Sequence, residues 1–142
     1  MGFSVSAATA IIGVAILMSF QFIVADVIPT IDDTYDSYDN MRDRAIEQIQ
    51  TNINITDVIT PSNGSNYDLN ATVENTGSIT LETEFFDVLI DGTKQTFTCT
   101  ETYLFPENTA NFNVTNQAGS GSKTLKIVAN NGISDYYMYT IS

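Results

Sequence analysis

Residues 7–24 read AATAIIGVAILMSFQFIV, an apolar run that no later part of the chain approaches, and no charged side chain precedes Asp26. At about 1.5 Å per residue, a helix over Phe3–Ala25 is roughly 34 Å long, enough to cross a hydrocarbon core of about 30 Å. Ile11, Ile12, Val14, Ile16, Leu17, Phe20, Phe22, Ile23 and Val24 are the expected membrane anchor. Each contributes roughly 0.3 to 0.6 kcal/mol at the bilayer centre, which outweighs the cost of Thr9, Ser19 and Gln21. A secretory signal peptide would carry a basic amino-terminal region and a shorter apolar stretch. The first basic residue here is Arg42, so a retained helix is expected. The opening Met1-Gly2-Phe3-Ser4-Val5-Ser6 also fits the short myristoylation pattern, but a spanning helix already supplies an anchor.

The 142 residues include 5 basic and 17 acidic ones, for a net charge of −12, with no histidine, no tryptophan and one cysteine. Nucleic acid is excluded as a partner, because its recognition draws on Lys and Arg. With no basic residue beside the apolar run, the positive-inside rule has nothing to count. Asp26, Asp32, Asp33, Asp36 and Asp39 follow the run. The short amino end is therefore expected in the cytoplasm and the acidic bulk outside, in a single pass. Four sequons agree with that placement, giving Asn54, Asn63, Asn70 and Asn113 as candidate N-glycosylation sites. Cys99 cannot form an internal disulfide and is expected as a small buried hydrophobe in a strand, with an intermolecular link as the alternative.

Between Thr30 and Asn52 the residues Ile31, Tyr35, Tyr38, Ala45, Ile49 and Ile53 recur at steps of three, four or seven, which predicts an amphipathic helix continuing the anchor. Pro29 either kinks this rod or occupies the first turn of a new helix. The opposite face sets like charges four apart, Asp32 with Asp36, Asp39 with Asp43 and Asp43 with Glu47, so the helix alone should be marginal. That face is either simply solvated, or the apolar stripe packs on a neighbouring subunit, with Tyr35 and Tyr38 as candidate contacts. The acidic stretch 32–39 has the wrong spacing for a calcium loop, since Ser37 stands where the loop glycine belongs.

From Ile53 onward the period becomes two, with short runs rich in Thr, Val, Ile, Phe and Tyr. Strands are expected at 53–60, 68–74, 78–84, 86–90, 95–99, 110–115, 124–129 and 133–141, with hairpin turns at Asp91-Gly92 and Asn131-Gly132. Looser turns are expected at Asn63-Gly64 and Asn75-Thr76-Gly77, and a flexible loop at 118–122. Eight short strands in about 90 residues fit one antiparallel β-sandwich. Its core is expected to be Leu69, Ala71, Val73, Leu81, Val88, Ile90, Phe112, Val114, Leu125, Ile127, Ala129, Tyr137 and Tyr139. Phe85, Tyr103, Phe105 and Tyr136 fall outside this pattern and are candidate interface residues. The organisation is thus a transmembrane helix over 1–28, a helical stalk over 29–52 and an extracytoplasmic sandwich over 53–142.

Catalysis lacks its parts: there is no histidine base, no cysteine with a histidine partner, no metal-ligand cluster and no glycine-rich phosphate loop. Glu82 and Glu84, two apart on an expected strand, would both face solvent. No enzyme activity, cofactor or metal is expected.

The opening Met1–Ser6 and its apolar helix, then Glu74-Asn75-Thr76-Gly77-Ser78, Leu89-Ile90-Asp91-Gly92, Leu104-Phe105-Pro106-Glu107 and Asn130-Asn131-Gly132-Ile133-Ser134-Asp135, come in an order that resembles the archaellum accessory proteins of the FlaF (ArlF) family. The resemblance implies a membrane-anchored stator of the archaeal swimming motor. Its immunoglobulin-like domain would bind the S-layer in the pseudoperiplasm, with the accessory protein FlaG (ArlG) and a second copy of the chain as partners. It carries over no catalytic or cofactor residue. The alternative is an archaellin or pilin-like filament subunit whose helix packs in the fibre core, which Ala7, Ala8, Ala10, Gly13 and Ala15 would permit. Precursors of that type carry basic residues before a cleavage point, whereas Gly2 follows only Met1, so an unprocessed start is expected. A tethered adhesion module would need the same parts.

Overall fold

The computed structural model describes residues 2–141; Met1, where the opening motif begins, and Ser142 lie outside them. The chain divides into two compact units, Met1–Asp43 and Arg44–Ser142. Helix α1 spans Gly2–Phe22, a π-helical turn covers Ile23–Val27, and helix α2 spans Ile28–Gln50. Pro29, which has no amide proton, sits in the first turn of α2 directly after the widened turn. The side-chain hydroxyls of Thr9, Ser19, Thr30, Thr34 and Ser37 each donate to the carbonyl four residues earlier, so these polar residues fit inside the helix.

The second unit carries an immunoglobulin-like antiparallel sandwich on the end of this long helix. Strands β1 (Ile53–Ile59), β2 (Ser62–Asn63), β3 (Asn66–Asn75), β7 (Thr98–Cys99) and β9 (Thr109–Gln117) form one sheet in the order β1-β3-β9-β7, with β2 paired to β3. Strands β5 (Asp87–Ile90), β6 (Thr93–Gln95), β10 (Gly121–Val128) and β11 (Ser134–Ile141) form the second, in the order β11-β10-β5-β6. A two-stranded ladder of β4 (Leu81–Glu82) and β8 (Tyr103–Leu104) flanks them. Every second residue of β3 is buried, which is the signature of a strand with one face in the core.

Of the expected core residues, all but Tyr137 are buried; Tyr137 packs on the core while half-exposed. The core also takes Ile53, Ile55, Tyr67, Phe86, Leu104 and Ala110, which alternation did not select. Ile53 and Ile55 alternate inward ahead of a bulge between Ile55 and Asp57, after which Val58 takes the inward side. Phe86 stacks on Phe112 at 5.3 Å between centroids, and Phe97 tilts against the same ring at 5.3 Å. Tyr67 and Tyr139 meet edge-on and share a hydrogen bond of 3.0 Å between their buried hydroxyls.

Three expected elements are corrected. The strand over 78–84 shrinks to Leu81–Glu82, because Thr83 turns into a 3-10 helix and its hydroxyl and amide donate to the carbonyls of Glu101 and Thr102. The strand over 95–99 is two strands, since Gln95 pairs with Val88 in one sheet while Thr98 pairs with Asn113 in the other. The loop over 118–122 ends early, because Gly121 and Ser122 already pair with Ile141 and Thr140. Both expected hairpins form. Asp91 and Gly92 take φ of 50° and 81°, whereas at the other hairpin only Gly132 is left-handed, at 87°. Cys99 is a free thiol in β7, half-buried against the core.

Val73 and Ile127 have no exposed surface. Val73→Asp or Ile127→Asp, which buries a charge with no partner, is expected to cost several kcal/mol and abolish the cooperative melting transition seen by circular dichroism; an unchanged transition would remove that residue from the core.

Candidate interaction surfaces

The last turn of α2 leaves carbonyls with no partner inside the helix, as every helix end does. Here the sandwich supplies the donors. Thr51 donates to the Glu47 carbonyl through its amide at 3.0 Å and its hydroxyl at 2.8 Å. The Ser78 amide reaches the Gln50 carbonyl at 2.8 Å, and the Thr76 and Gly77 amides both reach the Asn52 carbonyl, at 2.9 and 3.0 Å. Asn131, in the β10–β11 turn, accepts from the Gln48 side chain at 3.0 Å through its carbonyl and donates to the Thr51 hydroxyl at 2.5 Å. Fully buried Asn75 holds the loop that brings these donors: its amide group donates to the carbonyls of Ile79 and Leu104, and its oxygen accepts from the Gly77 amide. A Cβ on Gly77 would stand 2.4 Å from the Gln50 carbonyl oxygen and 2.6 Å from the Asn52 nitrogen, so only glycine lets the two backbones meet. Sequence reading marked 75–77 and 131–132 as turns and missed this role; the signal was a Gly flanked by capping-type residues at two sites far apart in the chain.

A further tie joins the two sheets at the β1 bulge, where the Ile55 amide donates to the Asp135 carboxylate at 2.8 Å. The domain therefore meets its helix through backbone and amide groups and carries no ion pair at that junction among the described residues.

The nine expected anchor residues, Ile11 to Val24, are all at least 48% exposed, an apolar helix surface that this chain leaves bare. It is long and apolar enough to cross a membrane. Tyr35 and Tyr38 on α2 are about 70% exposed. The four candidate aromatics of the sandwich are exposed too, but the structure does not gather them into one patch. Tyr103 and Phe105 lie 6.5 Å apart and border a shallow cleft with Glu101, Glu107 and Thr109. Phe85 borders a second, open cleft of about 960 Å³, with Phe97 on its floor and the Lys94–Asp87 ion pair on its rim, and Glu101 lines both clefts. Tyr136 stands apart on the outer face of β11, where the Lys126 ammonium lies 4.9 Å from its ring centroid.

The outer face of the β1-β3-β9-β7 sheet is built of amides and hydroxyls. Asn70 pairs across strands with Asn113, which pairs with Thr98, and Thr72 pairs with Asn111. All four candidate sequon asparagines, Asn54, Asn63, Asn70 and Asn113, therefore share one sheet, Asn63 at the end of β2 beside left-handed Gly64. The Asn63 amide and, more strongly, the Asn116 backbone amide hold the Asp68 carboxyl below its ordinary range. Among the described residues no three acidic or cysteine side chains converge to hold a metal ion, and Glu82 and Glu84 are both exposed.

Asp91, Lys123 and Tyr139 of the sandwich tie its stability to pH. The backbone amide of Thr124 and then the Lys123 ammonium lower the Asp91 carboxyl, and the same ion pair raises Lys123. Burial, then the hydrogen bond shared with Tyr67, pushes the Tyr139 phenol up. A lowered carboxyl stabilises the fold above its unfolded value and loses that effect as pH falls; a raised phenol or ammonium stabilises below its unfolded value and loses it as pH rises. The melting temperature is accordingly expected to hold between about pH 4 and 10 and to fall on either side, with a shallower alkaline decline in Tyr139→Phe. Gly77→Ala is expected to lower the melting temperature and to speed hydrogen exchange at the amides of Thr76, Gly77 and Ser78; protected amides in that variant would show that the close approach is dispensable.

No protein-family model matches the chain, and no curated protein sequence matches it. Solved structures share its fold, two of them archaellar. The chain is similar to the archaellum periplasmic stator protein FlaG from Sulfolobus acidocaldarius, with a TM-score of 0.52 and 21% identity over 63% of this chain and 99% of that one. It is also similar to the archaeal flagellum of Methanospirillum hungatei strain JF1, with a TM-score of 0.70 and 18% identity over 97% of this chain and 93% of that one. At these identities the likeness is one of fold: a sandwich of the kind found in FlaG, and a helix-plus-sandwich plan of the kind found in the flagellum.

Proposed function

We propose that this chain is a non-enzymatic component of the archaellum, a membrane-anchored stator protein whose sandwich binds the S-layer in the pseudoperiplasm. The observation that carries the reading is the joint between helix and sandwich. A stator must carry reaction torque from a membrane anchor to a fixed lattice, and the amides of Thr76, Gly77 and Ser78, closing on the carbonyls of Gln50 and Asn52 where α2 ends, resist bending there. The sandwich's similarity to the FlaG stator protein supports the same reading. In it, residues 1–28 span the membrane with the amino end in the cytoplasm, 29–52 form the stalk, and FlaG, the S-layer protein and further copies of the chain are the partners. The sequons then face the compartment where glycans are attached, with Asn54 and Asn63 exposed and Asn70 and Asn113 half-buried.

One observation favours a second reading. The Methanospirillum flagellum matches 97% of the chain, helix included, as a filament subunit with its helix in the fibre core would. Fractionation of native cells into membranes, isolated S-layer sheets and sheared filaments separates the two. The stator reading expects the chain in membranes, with its detergent-solubilised form sedimenting with S-layer sheets. Recovery in sheared filaments with a processed amino terminus, read by mass spectrometry, would overturn it in favour of the subunit.

A further inference from the structure

Helix α2 buries none of its side chains, although a row of apolar residues runs along it. Ile28, Ile31, Tyr35, Tyr38, Ala45 and Ile49 follow one another at strictly alternating steps of three and four, with Arg42 filling the one remaining place in the series. The mean step of 3.5 matters. A stripe repeating at about 3.5 keeps one face toward a supercoiled partner, whereas an ideal straight helix drifts from it by about 20° per heptad. The π turn at Ile23–Val27 interrupts the helical phase, so the series starts at Ile28 and belongs to α2 alone.

Charge placement agrees with the same seam. With Ile28, Tyr35, Arg42 and Ile49 at a and Ile31, Tyr38 and Ala45 at d, the carboxylates of Asp33, Asp36, Asp43 and Glu47 fall at the outward b and f positions. Asp32 and Asp39, at e, would face Val27 and Thr34 of a parallel second copy, and Ile46 would face Met41, so no carboxylates meet across that seam; Arg42, at a, would face Arg42 of the second copy. Arg42 lies 3.9 Å from Asp39 and 3.6 Å from Asp43 of its own helix, which tempers its charge at the seam. A single polar a position fixes register at some cost in stability. An uncovered helix with three like-charge pairs four apart is marginal by itself, and a partner along the seam removes that difficulty.

We propose that α2 forms a parallel two-stranded coiled coil with a second copy of this chain, along the seam Ile28, Ile31, Tyr35, Tyr38, Arg42, Ala45 and Ile49. The parallel sense rests on the proposed membrane anchoring, which brings both amino ends into one plane.

The test uses the full chain in native membranes. In a Cys99→Ser background, single cysteines are placed at the seam (Tyr35→Cys, Tyr38→Cys, Ala45→Cys) or on the outer face (Asp33→Cys, Asp36→Cys, Glu47→Cys), and the membranes are oxidised with copper phenanthroline. Disulfides form only where Cβ atoms come within about 4.5 Å. At least tenfold more disulfide dimer is expected at the seam positions than at the outer ones. Equal cross-linking on both faces, or none at Ala45→Cys and Tyr38→Cys, would overturn the proposal. Fractionation of the same samples reports on the stator reading separately. Seam dimers in sheared filaments would sink the stator and keep the coil, whereas membrane-bound chain without seam dimers would do the reverse.

Discussion

A helix that ends against a folded domain must have its last carbonyls satisfied, and the sandwich here is arranged around that demand. The donors come from the loop 76–78 and from Thr51 itself, while Asn131, from a second loop distant in sequence, donates to the Thr51 hydroxyl and accepts from the Gln48 side chain. Each loop is in turn held by the core: Asn75 ends β3, the strand buried at every second position, and Asn131 closes the hairpin whose strands carry Leu125, Ile127 and Tyr139. The consequence is cooperative. A defect in the core that shifts either loop also unseats the helix, and an overlong side chain at 77 pushes the helix away from a core that is otherwise intact.

The two sheets divide their tasks. Their inner faces supply an apolar core, stacked on Phe86, Phe97 and Phe112, and the outer faces differ in chemistry. Three of the five basic residues, Lys94, Lys123 and Lys126, sit on β6 and β10 of one sheet, and the other presents rows of Asn and Thr. With a net charge of −12, the chain repels itself in dilute buffer, and salt screens that repulsion. Asn and Thr rows are indifferent to salt, which lets that face keep the same surface chemistry at any ionic strength.

Much of this was legible in the sequence, and the parts that were not share a cause. The apolar run, the change of period at Ile53 and the hairpin at Asp91-Gly92 are local signals, and the structure has each of them. The bulge in β1 was hidden, because alternation has no term for an inserted residue, and it turns Val58 and not Asp57 toward the core. The break between Gln95 and Thr98 was invisible because one continuous polar-apolar run serves two sheets, and pairing partners are written elsewhere in the chain. Gly77 read as a turn residue, but its purpose depends on a carbonyl 27 positions earlier in the fold's chain order, Gln50. Among the surface aromatics, composition named the residues and could not say that Tyr136 stands apart from Tyr103 and Phe105.

The hydroxyls of Thr9 and Ser19, folded back onto the carbonyls of Val5 and Ala15, make the amino-terminal helix greasier than its composition suggests. Their hydrogen-bonding capacity is largely spent inside the helix, which leaves Gln21 as the one side chain of the apolar run with an amide still to satisfy. In a lipid setting that amide has two outlets, the headgroup layer or a neighbouring helix. In a bilayer, Gln21 would thus set the depth to which the helix could sink before it needed a polar neighbour.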